Sequence, residues 1–422
     1  MPTPALTAAP KAQPMPVVRF LRRGLKTLAS LKLTVVLFVF SLLLVFFGTL
    51  AQVDNGIWTV VDQYFWSVLV WVPFDLSLKF GQIFFGLPQS WTLPKWFAFP
   101  LPGGYTLGWL LFLNLLSAHV VRFKLSWKRS GIILLHAGLV LMLASEFITR
   151  EFAVEGNMTI ANGESTNVVL DIRKSELAVI DGSSKDADQV TVVPQSKLRQ
   201  GATITSDMLP FNVEVEEFYK NSALSQAAPG NNPATVGDGR EFRAELKSEI
   251  SGTDQEQKAD YPSAYVKLTG KSGEDLGTYL VSVWLSDLED RPPQTIKVGD
   301  KTYQLALRFK RTYEPFTIHL NKFTHEVYPG TNKPKNFQSD IRLVDPESGV
   351  DREVTIKMNQ PMRHQGQAFY QSSFLQGDRG TVLQVVRNPG WRLPYFSCAL
   401  VALGMLVHFG ITLNGFLERR AA

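Results

Sequence analysis

Six histidines are the whole imidazole supply of this chain, and three of them, His119, His136 and His408, fall inside long apolar runs. An ionisable side chain in a hydrocarbon layer is costly and as a rule faces protein, a cavity or a ligand. His136, in LLHAGL, sits about five residues into its run, about 8 Å deep at the helical rise, and His408, in LVHFGI, sits about eight residues from the end of its own, about 12 Å by the same rise. At those depths the two are able to meet across a helix pair. His119, in LSAHVV, lies close to a basic edge and reads as a snorkelling interfacial side chain. The competing reading for each is structural, because a lone histidine in a span can simply hydrogen-bond a neighbouring helix. Ala137, Gly138, Ala144 and Ser145 need no ligand role either, since small residues let helices approach closely.

The other histidines offer less. His319 and His325 are six apart on an expected strand, which places them on one face but about 20 Å apart by the strand rise, too far to share a metal. His364, in MRHQGQ, is expected in a loop and solvated. No Ser-His-Asp order, paired-carboxylate pattern, phosphate loop or HExxH is present. The one cysteine, Cys398, lies in an apolar run, which excludes a CxxC oxidoreductase and a thiolate zinc site. The polar middle of the chain must therefore be held by a packed β core without disulfides, and covalent catalysis by this chain alone is unsupported.

These residues are positioned by four expected transmembrane helices, since about 20 apolar residues cross a hydrocarbon core. They are Leu31–Leu50, Tyr105–Val121, Gly131–Ile148 and Tyr395–Phe416, the last closed by Glu418, Arg419 and Arg420. The net charge of +5 matters less than its placement. Lys11, Arg19, Arg22, Arg23, Lys26 and Lys32 precede the first run, and Arg122, Lys124, Lys128 and Arg129 crowd the loop between the second and third. Both segments are expected to be cytoplasmic by the positive-inside rule, which also accounts for the basic residues without a nucleic-acid partner.

The domain organisation follows. Residues 1–30 form a basic cytoplasmic tail, Ala- and Pro-rich and disordered over Met1–Pro16. Residues 31–148 hold three spans with an aromatic loop at 52–104, read as helices lying at the outer interface where Trp and Tyr rings are favoured. A further span at Ile57–Phe74 is interrupted by Asp62, Gln63 and Asp75 and would invert every later loop. Residues 149–393 turn to a period of two, in Glu176–Val179, Tyr279–Trp284, Tyr303–Phe309, Phe337–Leu343, Glu353–Met358 and Ala368–Phe374, and read as an extracytoplasmic β domain or two small sandwiches. Asp345–Gly349 is a hairpin turn, while Ala223–Gly239 and Lys247–Asp260 are loops. Residues 394–422 are the fourth span and a cytoplasmic end. The fold class is thus membrane α-helical plus a large all-β extracytoplasmic domain.

The combination resembles the ResB (CcsB) family of System II cytochrome c biogenesis. The resemblance rests on Ser30–Thr34 and Gly48–Gln52 bounding the first span, Pro102-Gly103-Gly104 and Asn114-Leu115-Leu116, and above all on HEVYPGTNKPKNFQSDIRLVD (His325–Asp345) and IKMNQPMRHQGQAFYQSSF (Ile356–Phe374). It implies a multi-pass protein of the bacterial cytoplasmic (inner) membrane, a non-catalytic subunit rather than an enzyme by itself. With a CcsA-like membrane haem protein it would bring haem b to the outer face for attachment to apocytochrome c. The tryptophan-rich WWD-type segment of fused forms is absent from this sequence, so by the resemblance a separate polypeptide is expected as the partner. By the resemblance a span histidine ligates the haem, and His136-Ala137-Gly138 matches best, with His408 the second candidate. A membrane b-type haem electron-transfer protein and a cofactor-free membrane-anchored scaffold are the alternatives. The topology is open to a direct check: a reporter fused within 149–393 should report an extracytoplasmic position and one in the 124–128 loop a cytoplasmic one, and reversed signals would contradict four spans.

Overall fold

The computed structural model describes residues 23–94, 96–122, 126–184, 187–228, 230, 232–251, 259–288, 291–331 and 334–421. The basic tail as far as residue 22, residues 123–125 of the basic loop and residues 252–258 of the loop expected at Lys247–Asp260 lie outside these residues. The chain divides into two compact units. One is helical and holds residues up to 51, 59–151 and 390 onward. The other is β-rich and holds residues 52–58 and 152–389.

The helical unit contains four helices long and apolar enough to cross a membrane: span one (Leu31–Ala51), span two (Gly104–Arg122), span three (Ser130–Phe152) and span four (Leu393–Ala421). Leu37, Leu44, Phe47 and Ala51 form the buried stripe of span one at helical spacing. They pack on Val60, Tyr64, Val72, Leu101 and Leu107. The connection between spans one and two contains a hairpin as well as the expected helical segments. Strands β1 (Leu69–Pro73) and β2 (Ala98–Pro102) pair antiparallel and enclose one helix, Phe74–Phe84. A β-bonded backbone at Leu69–Pro73 excludes the further span considered at Ile57–Phe74. Phe80 of the enclosed helix meets Phe46 of span one at 5.2 Å between ring centres. Gly103 and Gly104 follow at once, where the chain passes so close to the Ser67 and Phe65 backbone carbonyls that a Cβ would collide.

The β unit begins with β3 (Val154–Ala161), β4 (Ser165–Asp181), β5 (Gln189–Pro194), β6 (Thr203–Ile204), β7 (Phe211–Tyr219), β8 (Ser222–Gln226) and β9 (Phe242–Leu246). It continues through β10 (Ser263–Gly270), β11 (Asp275–Ser282), β12 (Thr295–Val298) and β13 (Lys301–Val327). The last strands are β14 (Pro334–Asp345), β15 (Val350–Lys357), β16 (Met362–His364), β17 (Gln367–Phe374) and β18 (Gly380–Arg387). All six expected strand segments are strand in whole or large part, except that Val283 and Trp284 turn into a short helix after β11.

Two large cores form beside a small cluster of Ala244, Tyr265, Leu280 and Leu285, and two long strands thread both large ones. One sheet runs β11-β10-β7-β6, and the largest runs β15-β14-β13-β4-β3-β18-β17-β16 with β12 on β13 and β5 on β4. Leu305, Leu307 and Phe309 of β13 enter the first core with Leu177 and Val179 of β4. Phe316, Ile318, Leu320 and Phe323 of the same strand enter the second, with Val169 of β4, Ile341, Phe369 and Leu383. The change of core coincides with register breaks between Phe309 and Lys310 and between Tyr313 and Ile318. Pro315 lies in the second break, where a residue without an N–H loses no ladder bond. The β unit is therefore neither a single sandwich nor two separate ones.

Within that shared pairing, Glu176 of β4 faces Arg308 of β13, and the two form an ion pair of 3.0 Å with both side chains 8% exposed. Removing one partner leaves a buried charge uncompensated, which costs about 3–5 kcal/mol, whereas replacing both with apolar residues is often neutral. Arg308→Leu should accordingly lose about that much stability in denaturant unfolding of the whole chain followed by β circular dichroism. The double change Glu176→Leu/Arg308→Leu should regain most of it. Equal losses in the two would contradict the account.

Candidate functional site

The four-residue backward bond of a helix sets the two histidines of spans two and three. His119 Nδ1 donates to the Leu115 carbonyl at 2.7 Å and His136 Nδ1 to the Ile132 carbonyl at 2.8 Å. A carbonyl only accepts, so in each neutral ring the lone pair is carried by Nε2, the arrangement by which metal-ligating histidines are oriented. Spans two and three form an antiparallel helical hairpin across the basic loop, and its register brings the rings together with centres 5.0 Å apart, edge to face. The same register sets Trp109 on Phe147 at 4.6 Å. Both histidines are half-buried.

His408 stands elsewhere. Spans three and four meet at glycines: a Cβ on Gly131 would lie 2.6 Å from the His408 Cα, and one on Gly138 would lie 2.9 Å from the Ser397 carbonyl oxygen. Gly404 answers from span four against Gly131 and Leu135. Gly138 thus has the close-approach role its size suggests. Gly131 is turned to span four and His136 to span two, so the structure brings His136 to His119 and sets His408 on a different face of span three. The ring neighbour of His408 is Phe409, at 5.8 Å on its own helix. The pairing with His119 had a legible signal in the short loop, since residues at similar distances from a hairpin turn must meet.

Three hydrogen bonds of Asn114 lie near the start of span one. Asn114, buried in span two, accepts from Thr34 Oγ1 at 2.7 Å and donates to the carbonyls of Leu28 and Ser30. It thereby ties the break between the helical residues 23–28 and span one to span two.

In the β unit, a bulge separates His319 from His325. The β13–β14 register shifts between Leu320 and Lys322, and the buried positions change from Phe316, Ile318 and Leu320 to Phe323. The shift turns the two histidines to opposite faces, so the single face expected from a continuous strand is not formed. His319 bonds Ser165 Oγ at 2.9 Å, while His325 stacks on Phe337 and Phe374 and meets Asp378 at 3.1 Å. His364 is not a solvated loop residue. It ends β16 with its side chain 10% exposed, and its Nε2 lies 2.7 Å from Asp345 Oδ2. Among the described residues no three His, Cys, Asp or Glu side chains are grouped as a metal site.

Four membrane-length helices joined to a two-core β unit define a membrane-anchored β protein, and the sequence places it more closely. Residues 290–382 match the ResB-like family. A stretch of 298 residues is 26% identical to Protein NrfI of Wolinella succinogenes, covering 70% of this chain and 29% of that protein. A stretch of 86 residues is 33% identical to the cytochrome c biogenesis protein CcsB of Picosynechococcus sp., covering 20% of this chain and 18% of that protein. The chain spans less than a third of the length of these relatives. The family-matched residues run from β12 through β17 into β18, so they contain His319, His325 and His364 but none of the span histidines.

Inside that match, Asp345 opens the β14–β15 turn closed by Gly349 at φ 67°. Hydrogen bonds from Ser348, with His364 and Gln365, hold its carboxyl well below the ordinary 3.8. A carboxylate lowered on folding stabilises above its unfolded pKa and loses that contribution as pH falls through the folded value. Asp345→Asn should therefore destabilise the β unit at neutral pH, and the difference from the unaltered chain should shrink as pH falls below about 4. Denaturant midpoints measured across that range check this, and a constant difference would contradict it.

Proposed function

We propose that the chain is the haem-handling subunit of a cytochrome c assembly complex in the bacterial inner membrane. In this reading it works with a CcsA-like membrane haem protein to bring haem b to the extracytoplasmic face, where the β unit lies, for attachment to apocytochrome c. The observation that carries the reading is the oriented imidazole pair His119–His136 inside the apolar hairpin of a ResB-like chain. The name of the Picosynechococcus relative, a cytochrome c biogenesis protein, supports the pathway. Placing the basic 122–129 loop on the cytoplasmic side sets the pair near the side from which haem enters.

The residues fit one axial bond better than two. Imidazoles on opposite sides of one iron, each with its nitrogen roughly 2 Å from the metal, need ring centres roughly 6 Å apart. The observed 5.0 Å, edge to face, is short of that. His136 would hold the haem through Nε2, with the ring of His119 against its edge, and a second ligand would be left to the partner protein. This geometry favours transfer over a stable bis-histidine electron carrier. The chain contributes position, orientation and an apolar surround, while the thiols that join haem belong to the apocytochrome.

Replacing His136 with Ala removes an imidazole from a helix already rich in small residues, so the protein should still insert. Haem carried by the chain co-purified with its partner should fall at least fivefold, and cytochrome c maturation with it. Added imidazole should restore part of both, because a free ligand can enter the vacated space. His119→Ala should perturb the haem spectrum with a smaller loss. Normal haem content in His136→Ala, with only the protein level lowered, would reduce the histidine to packing and overturn the assignment.

A further inference from the structure

Span three carries one ionisable side chain that the spans leave unused. Glu146 lies six residues before Phe152, where the helix ends, and two before Ile148, where its apolar run ends. It is exposed, and among the described residues its carboxyl makes no hydrogen bond or ion pair. The sequence offers it a partner in Arg150, since Glu at i and Arg at i+4 is the favourable order on a helix. The structure spends Arg150 differently. Its guanidinium lies over the rings of Tyr105, at 4.6 Å, and Trp66, at 5.5 Å, and its ion-pair contact is with Glu151 at 3.9 Å. Snorkelling does not solve the problem either, because helix side chains lean toward the N-terminus of their helix. Glu146 therefore leans toward the middle of span three and away from its Phe152 end.

The face around it is defined by what the neighbouring spans occupy. Gly131 and Gly138 meet span four, and Phe147 and His136 meet span two. Leu139, Met142 and Glu146, spaced i, i+3 and i+7, form an exposed stripe between those contacts. An apolar stripe alone would suit lipid. A carboxyl in it does not, because acyl chains offer neither a donor nor a counter-charge.

We propose that the Leu139–Met142–Glu146 face of span three docks a transmembrane helix of a second, different membrane protein, which presents a lysine, an arginine or another hydrogen-bond donor to the Glu146 carboxyl. This rests on the reading of the chain as one subunit of a membrane complex and names the face by which it assembles. A second copy of the chain is a poor occupant, since a two-fold contact through this stripe would bring two glutamates to the same depth. A helix with a donor satisfies the carboxyl and covers the stripe together.

The test co-expresses the tagged full chain with the membrane haem protein proposed as its partner and recovers both in mild detergent, with partner normalised to chain. Glu146→Leu should lower the recovered partner at least tenfold with the β circular dichroism unchanged. Glu146→Gln should keep an intermediate amount, since the amide still forms hydrogen bonds. A photo-crosslinking residue at position 142 should form an adduct with the partner, and the Glu146→Leu change should abolish it. Undiminished association in Glu146→Leu, or an adduct only with lipid or a second copy of the chain, overturns the docking face and leaves the subunit reading standing. If the unaltered chain recovers no partner at all, the subunit reading fails, and the docking face fails with it.

Discussion

A polar group in hydrocarbon must find its partner inside the protein, and the arrangement of the spans follows from how each such group does so. Ser41, Thr49 and Thr412 return their hydroxyls to the carbonyl four residues back. His119 and His136 do the same with Nδ1, which locks their rings and sets their tautomer. Asn114 has too many donors and acceptors for its own helix and becomes the tie between spans one and two. Since apolar side chains gain nothing by leaving lipid for one another, contact between spans three and four rests on glycine seams instead. Glu146, exposed on span three, and Ser397 Oγ, buried in span four, are groups this logic leaves over.

The β unit obeys a different constraint, because water is available to its surface and burial of apolar area drives it. A 27-residue strand is far longer than either core requires. Its length makes sense once β13 is seen to serve both cores, with β4 beside it and the Glu176–Arg308 pair fixing their register. The family-matched residues are most of the second core and its turns. Their local chemistry, such as the Asp345–His364 bond, is explained by the folding of that core without any ligand.

The spans and strands were legible in the sequence because a long apolar run and a period of two each report one kind of burial. The four helices, the six strand segments and the Asp345–Gly349 turn all show this. The hairpin at β1 and β2 was hidden because its residues, LVWVP and AFPLP, are apolar and aromatic like the surrounding loop and carry no alternation. The bulge after Leu320 was hidden for a related reason, since one extra residue reverses every later face without changing composition. His136 was legible from its depth. Its neighbour was legible only through the short loop between spans two and three, because depth alone pairs His136 as well with His408, and the faces of span three separate the two.

The account turns on whether an imidazole of this chain bonds the haem iron. Histidine labelled with a heavy nitrogen isotope can be confined to this chain by reconstituting it with unlabelled partner. Pulsed electron paramagnetic resonance of the ferric haem in that complex then reads the nucleus bonded to iron. One labelled axial nitrogen, lost in His136→Ala, is the result the account predicts. An axial signal entirely from unlabelled nitrogen would contradict it, and the span histidines would then be structural.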